Sequence, residues 1–359
     1  MNENELNHTP LFTVVLAGYQ TEPYLQKALD SLANQTFRDF EVICYVEECT
    51  DRSLEMCRAM AERDPRFKAA SGPKSGSGGP TRNYGMDHAA GEYVVFVDGD
   101  DWIAENTLEK LANKLGQTGP LDILAFACYI VRGEDTDLTT APIHANLTAQ
   151  DTNAIFSGQD AIRRAYRAGK TFEGYSCLNV CKRVFLLEHK LYQLNALLED
   201  FDWTMRAWFH AKTMAYLDEP MYFYRNRPNS LTTETRSRVK ILKDLSETVF
   251  PSLFHFACTE SVPEDILSIW GNLWLSMLYW YMFHPITSKG ISDEDRKRAL
   301  DAFFAGKGRD YYLRVQRFVS FPKRLATPFV LLAAKGIQFP AKVYFRGVYY
   351  PLVERRKDQ

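Results

Sequence analysis

Tyr93-Val94-Val95-Phe96-Val97-Asp98-Gly99-Asp100-Asp101-Trp102 is the stretch whose reading decides the fold. Five apolar residues, all β-branched or aromatic, lead without interruption into a carboxylate cluster. Such a run fits a strand covered on both faces, as in a parallel sheet wound with helices, and ligands of such sheets bind beyond the carboxyl ends of the strands. Strand alternation continued past Val97 predicts Asp98 and Asp100 on one side, with Gly99 between them leaving room for a ligand. Three carboxylates within four residues repel one another unless a cation or a set of donors compensates them. Hard oxygen ligands of this kind suit Mn2+ or Mg2+, which hold a substrate diphosphate through one or two carboxylates and several waters. The competing reading is an acidic turn that serves the next helix, because Glu105 and Asn106 precede Leu108, Leu111 and Leu115 at helical spacing.

Working outward, residues 11-130 alternate strand and helix patterns. Phe12 to Leu16 reads as a strand, and Tyr24, Leu25, Ala28, Leu29 and Leu32 mark one face of a following helix. Phe40 to Val46 and Phe67 to Ala70 read as further strands, with helices over Leu54 to Arg63 and around Asn83 to Ala90. This rhythm predicts an α/β fold with a doubly wound, mostly parallel sheet. Asp122 to Val131 reads as another strand, and Arg132 to Thr148 is polar and loop-like. From about residue 236 the pattern is helical, with Trp270, Leu273, Trp274 and Leu278 recurring at helix spacing.

Composition sets outer bounds. The chain has 359 residues, 46% hydrophobic and 25% charged, which suits one α/β domain with an appended helical part. Its net charge of -2 hides an asymmetry: residues 301-359 hold twelve Lys and Arg against four Asp and Glu, so the remainder is acidic. That split points the tail towards something anionic. Seven cysteines without a C-x-x-C pair read as reduced, cytosolic thiols. The polar stretch Met1 to Pro10 lacks an apolar signal core, so no export is expected, and no apolar run is long enough to span a bilayer.

Other segments carry weaker signals. The loop Ser71 to Pro80 is rich in Gly and Ser but has neither G-x-x-x-x-G-K-[ST] nor a complete G-x-G-x-x-G, which leaves a flexible active-site loop or a plain surface linker. Arg82 and Asn83 follow it, where a cation could meet a nucleotide. Glu199-Asp200 sits beside Phe201 and Trp203, surroundings that desolvate a carboxylate and make it a better proton acceptor; an exposed helix start is the alternative. Arg225 or Arg227 could clamp a phosphate through paired donors, beside aromatics that read as packing residues. The seven histidines form no local pair at ligand spacing, and no G-x-S-x-G elbow is present.

The order of these segments from about residue 11 to 232 resembles a family 2 glycosyltransferase of the GT-A fold, of the type that builds bacterial surface polysaccharides. The matching pieces are Val14 to Leu25 with Leu29 to Phe37, Gly79 to Gly85 around Arg82-Asn83, Gly91-Glu92-Tyr93 through Asp98-Gly99-Asp100-Asp101, and Glu199-Asp200, with Tyr222 to Arg225 and Asn229 to Thr232 resembling the domain's end. The resemblance implies a catalytic domain over residues 1-232 and a helical, basic C-terminal region over residues 233-359. It implies that Asp98 and Asp100 meet the nucleotide and the divalent metal, Mn2+ or Mg2+, with Asp101 nearby, and that Arg82 lies near the nucleotide. It assigns Asp200 as general base, with Glu199 in reserve, for one inverting displacement on a nucleotide-sugar donor, a UDP-sugar first among them. The expected acceptor is a lipid-linked or surface glycan, and no nucleic-acid partner is expected.

Two departures from the family pattern stand out. Where V-D-D-G-S-T-D is usual, this chain reads Val46-Glu47-Glu48-Cys49-Thr50-Asp51, so the base-side contact falls to Glu48. Where Pro-x-Tyr-Asn is usual, it reads Ala17-Gly18-Tyr19-Gln20, which puts Tyr19 at the edge of the nucleotide pocket. The absence of Q-x-x-R-W favours transfer of a single sugar. Basic residues from Lys323 to Lys357 interleave with Phe318, Phe321, Phe345 and Tyr349, a pattern that suits an anionic membrane surface on the inner face of the cell membrane or, equally, an internally packed helical part with a solvated basic face. Alternatives are a catalytically inactive relative that serves as an assembly subunit or glycan-binding module, and a nucleotidyltransferase, although Tyr19-Gln20-Thr21-Glu22 lacks the Gly-rich basic loop the latter needs.

Overall fold

The computed structural model describes residues 8-132, 136-170, 174-227, 235-284 and 291-304, together with Val330, Ala341 and Phe345. The chain divides into two units, Met1–Asn195 with Glu199–Arg227, and Ala196–Leu198 with Pro228–Gln359.

In the first unit the expected alternation is present as β1 (Phe12–Gly18), α1 (Glu22–Ala33), β2 (Phe40–Glu47), α2 (Ser53–Arg63), β3 (Phe67–Gly72), α3 (Gly79–His88) and β4 (Tyr93–Asp98). These four strands are parallel, in the order β3-β2-β1-β4. Tyr93 to Val97 are all buried, as a central parallel strand covered on both faces requires. Leu25, Ala28, Leu29 and Leu32 of α1 are buried in the same core. Helix α3 begins at Gly79 rather than near Asn83, because Pro80 occupies its first turn, where a missing N–H is no loss.

Beyond Asp98 the pairing becomes mixed. The elements are β5 (Trp102–Ile103), α4 (Thr107–Thr118), β6 (Ile123–Val131), β7 (Ile143–His144), α5 (Gly158–Arg167), β8 (Asn179–Lys182), α6 (Arg183–Glu188), α7 (Glu199–His210) and β9 (Met214–Arg225). Strand β8 lies antiparallel between β4 and β6, while β9 runs parallel to β6 and antiparallel to β5. Among the described residues one nine-stranded sheet results, ordered β3-β2-β1-β4-β8-β6-β9-β5, with β7 against β6. The segment expected to be a loop, Arg132 to Thr148, thus contributes the two-residue strand β7.

The second unit is helical among its described residues: α8 (Thr235–Asp244), a π-helical turn Leu245–Val249, α9 (Phe250–Thr259), α10 (Glu264–Phe283) and α11 (Asp293–Phe303). Trp270, Trp274 and Leu278 of α10 are buried, and Phe345 stacks on Phe283 with ring centroids 4.4 Å apart. The basic positions Lys323, Arg324, Lys335, Lys342, Arg346 and Arg355 to Lys357 lie outside the described residues, as do Asn229 to Thr232. No helix among the described residues is long and apolar enough to cross a membrane.

Candidate active site

Strand β4 ends at Asp98, and the chain then turns, with Asp101 N donating to Asp98 O at 3.0 Å. The alternation expected to place Asp98 and Asp100 alike therefore stops at the strand's end. Their carboxylates meet different arginines: Asp98 accepts from Arg82 at 2.6 Å, and Asp100 from Arg227 Nε at 2.8 Å. The space beside Gly99 is taken by packing instead of being left for a ligand, since a Cβ there would stand 3.0 Å from Thr21 Oγ1.

Asp101 faces inward and is only 2% exposed. One carboxylate oxygen accepts from the Tyr222 hydroxyl and the other from Arg225 N, both at 2.7 Å. Burial, followed by the charges of Asp100 and Asp98, pushes its carboxyl well above the usual carboxylate range, while the two donors oppose that shift. The Tyr222 oxygen also accepts from Asp98 N at 3.2 Å, so one hydroxyl links both ends of the turn. The acidic turn ties β4 to β9 and does not serve α4, whose cap residue Asn106 makes no side-chain cap bond.

Arg82 is the hub. It is 5% exposed, and its two terminal nitrogens donate to Asp98 at 2.6 Å, Glu199 at 2.9 Å, Gln193 at 3.2 Å and Asp200 at 3.3 Å. Helix α3 delivers it from one side, and the first turn of α7 delivers the acid pair from the other. Gly78 makes this approach possible, because a Cβ there would lie 2.5 Å from Arg82 Nη1 and 2.9 Å from Glu199 Oε1. Burial works against the arginine's charge, but Asp200, Asp98 and Glu199 together raise its pKa well above the ordinary value. Burial first, and then Asp200, pushes Glu199 up to about 8 against the pull of Arg82. Asp98 is raised too, by burial and by Asp100 and Asp200, with Arg82 opposing. Cys177 lies buried near this cluster; burial and the charges of Asp98 and Asp101 push its thiol up, away from nucleophilic use.

The remaining expected residues lie along the same rim. Tyr19, just past β1, accepts a hydrogen bond from Lys74, whose ammonium also stands 4.4 Å from the ring centroid. Glu48 is exposed, whereas Glu47 is buried and accepts from Ser75 N at 3.1 Å. Arg225 Nε donates to Asp100 O at 2.9 Å, and its guanidinium lies 4.8 Å from the rings of both Tyr24 and Trp102. Lys74 and Ser75 lie in the Gly/Ser loop read as an active-site loop or a surface linker but carried no signal of their own, and Gln193 carried none. The contact of Glu47 with the neighbouring loop was not anticipated from the sequence.

No group of three His, Cys, Asp or Glu side chains that could by itself hold a metal occurs among the described residues. Asp98 and Asp100 nevertheless fit a divalent ion that completes its shell with substrate phosphates and water, since one or two carboxylates suffice for Mg2+ in that setting.

Comparison with known proteins places this geometry in context. EpsH of Bacillus subtilis (strain 168) is 30% identical over 239 residues, 64% of this chain and 65% of the relative. The uncharacterized glycosyltransferase EpsJ of the same organism is 28% identical over 226 residues, 62% of this chain and 63% of the relative. The chain thus spans a little under two thirds of the length of either. The crystal structure of S. aureus TarS 1-349 in complex with UDP-GlcNAc shares the fold, with a TM-score of 0.71 at 19% identity, over 94% of this chain and 93% of that one. Residues 13–185, which carry β1 to β4, Arg82 and the Asp98 to Asp101 turn, match the family model Glycosyl transferase family 2.

Proposed function

We propose that the protein is an inverting glycosyltransferase that moves one sugar from a nucleotide-diphosphate sugar to a hydroxyl of a lipid-linked or surface glycan. The observation that carries this reading is the Arg82 hub, which gathers Asp98 from the end of β4 and the Glu199-Asp200 pair of α7 around one guanidinium. A donor-side carboxylate and an acid pair suited to proton transfer thus share one small space.

In this reading Asp98 and Asp100 hold Mn2+ or Mg2+, which supplies charge neutralisation to the departing diphosphate. Asp200 is the general base: its side chain keeps 22% exposure against 10% for Glu199, so it can reach an incoming hydroxyl. It takes the acceptor proton as the acceptor oxygen bonds to the anomeric carbon and the bond to the phosphate oxygen breaks on the opposite face. Glu199, held largely protonated at neutral pH, adds little charge beside that base. Arg82 orients Asp200 and offers its charge to the phosphates. A uridine donor draws support from the TarS complexes with UDP and UDP-GlcNAc. The basic C-terminal stretch, outside the described residues, is read as a contact for an anionic membrane surface on the cytoplasmic side.

The test is release of nucleoside diphosphate from a panel of UDP-, GDP- and dTDP-sugars with Mn2+ or Mg2+. Slow, metal-dependent hydrolysis of one donor, abolished in Asp100→Ala, is expected. No turnover and no metal-dependent nucleotide binding across the panel would overturn the reading in favour of an inactive assembly subunit or glycan-binding module.

A further inference from the structure

Arg82 Nη1 carries two hydrogens and faces three oxygens. Glu199 stands at 2.9 Å, Gln193 at 3.2 Å and Asp200 at 3.3 Å. Asp98 accepts from the other terminal nitrogen, Nη2, at 2.6 Å. A charge-assisted N–H···O bond ordinarily runs at about 2.7–2.9 Å, so Asp98 and Glu199 are tightly held and Asp200 is not. Arg82 and Gln193 are each 5% exposed, which leaves bulk water little access to make up the missing donor.

The place of the Gln193 amide is fixed from both helices that build the hub. Asn83, next to Arg82 on α3, clamps the Gln193 backbone: Gln193 N donates to Asn83 Oδ1 and Asn83 Nδ2 donates to Gln193 O, both at 2.8 Å. Gly79, at the start of α3, lets this segment pass, since a Cβ there would stand 2.1 Å from Leu194 O. From α7, Trp203 Nε1 donates to Leu191 O and Arg206 Nη2 to Tyr192 O, each at 2.7 Å. The Gln193 side chain adds little to this clamp. Its Nε2 is buried without a partner among the described residues, which costs stability, and its oxygen is given to Arg82.

A neutral acceptor that shares Nη1 with the acid pair does two things. It takes up hydrogen that Asp200 would otherwise receive in full, and it does so without cancelling the positive charge of Arg82. A carboxylate oxygen spared a full hydrogen bond keeps a lone pair for the proton of an incoming hydroxyl. We propose that Gln193 is a positioning residue: by competing for Arg82 Nη1 it keeps Asp200 loosely held and free to take the acceptor proton. The proposal rests on reading Asp200 as the general base.

Crystal structures and donor-turnover kinetics of the full chain as wild type, Gln193→Leu and Gln193→Glu test it, with Gln193→Met, closer in shape, standing in where Gln193→Leu does not fold. In Gln193→Leu the Arg82 Nη1 to Asp200 distance should close from 3.3 Å to about 2.9 Å or less. Its kcat should fall about tenfold, while KM and nucleotide affinity stay within about twofold. Gln193→Glu keeps an accepting oxygen at the same place, and it should hold the longer distance and recover most of that kcat. An unchanged Arg82 to Asp200 distance in Gln193→Leu overturns the competition. Unaltered kcat, a loss that appears in KM alone, or a loss as large in Gln193→Glu as in Gln193→Leu overturns the role in turnover. Absence of turnover in wild type on every donor overturns the proposed function and this role with it, whereas the distance change reports the competition by itself, so the two failures are distinguishable.

Discussion

Asp98 holds one oxygen against Arg82 while its side chain stays 26% exposed, whereas Asp101, in the same turn, gives both oxygens to Tyr222 and Arg225 inside the fold. The two carboxylates share a sequence motif and a negative neighbourhood, yet one stays partly open to solvent and the other is buried scaffolding. The difference shows how a cluster of like charges persists without collapse. Part of its repulsion is absorbed by arginines and part by hydrogen-bond donors.

The contrast can be broken most sharply on its chemical side. Asp200→Asn should lower donor turnover by about a hundredfold to ten-thousandfold, the usual worth of a general base, with nucleotide affinity little changed. Transfer or hydrolysis kinetics beside a binding titration would measure both, and a variant with near-wild-type turnover would remove Asp200 from the role of base.

On the scaffolding side, Asp101→Ala leaves the Tyr222 hydroxyl and Arg225 N–H buried without their acceptor and should cost about 2–4 kcal/mol of stability in urea unfolding. An unchanged denaturation midpoint would mean that Asp101 is no more structural than Asp98.

The smallest effect is a pH dependence. The folded-state pKa of Glu199 is about 8 against an ordinary 4.5, so between those values the unfolded chain has released a proton that the folded chain keeps. Stability attributable to this group is therefore full below pH 4.5 and declines as pH rises towards 8. Thermal unfolding of Glu199→Gln across that range should show a flatter profile than wild type, and parallel profiles would mean that the carboxyl is ionised throughout.

The parallel half of the sheet was legible because its strands are short apolar runs bounded by turn residues and its helices show one apolar stripe, as in Leu25, Ala28, Leu29 and Leu32. Hydrophobic period says nothing of pairing direction, so the antiparallel insertion of β8 between β4 and β6 left no trace in the pattern. At the site, the acidic and basic positions Asp98, Asp100, Arg82, Glu199 and Asp200 could be singled out from residue type and order. Which of them meet could not, because Arg82 and Asp200 are 118 residues apart and only the folded chain brings their side chains within hydrogen-bonding distance. The split between Asp98 and Asp101 was invisible for the same reason: Tyr222 and Arg225 decide it, and they come from a distant strand.

That distance has a meaning for synthesis. The acceptor Asp101 leaves the ribosome 121 residues before Tyr222 and 124 before Arg225. A nascent chain can wind β1 to β4 early, since those strands are near neighbours in sequence, but its acidic turn has no inward partner until β9 emerges. Loop closure on this scale is slow to form and exposed while it waits. The acidic rim is thus among the last parts of its unit to be assembled, and until then a half-made chain carries the carboxylates without the architecture that aims them.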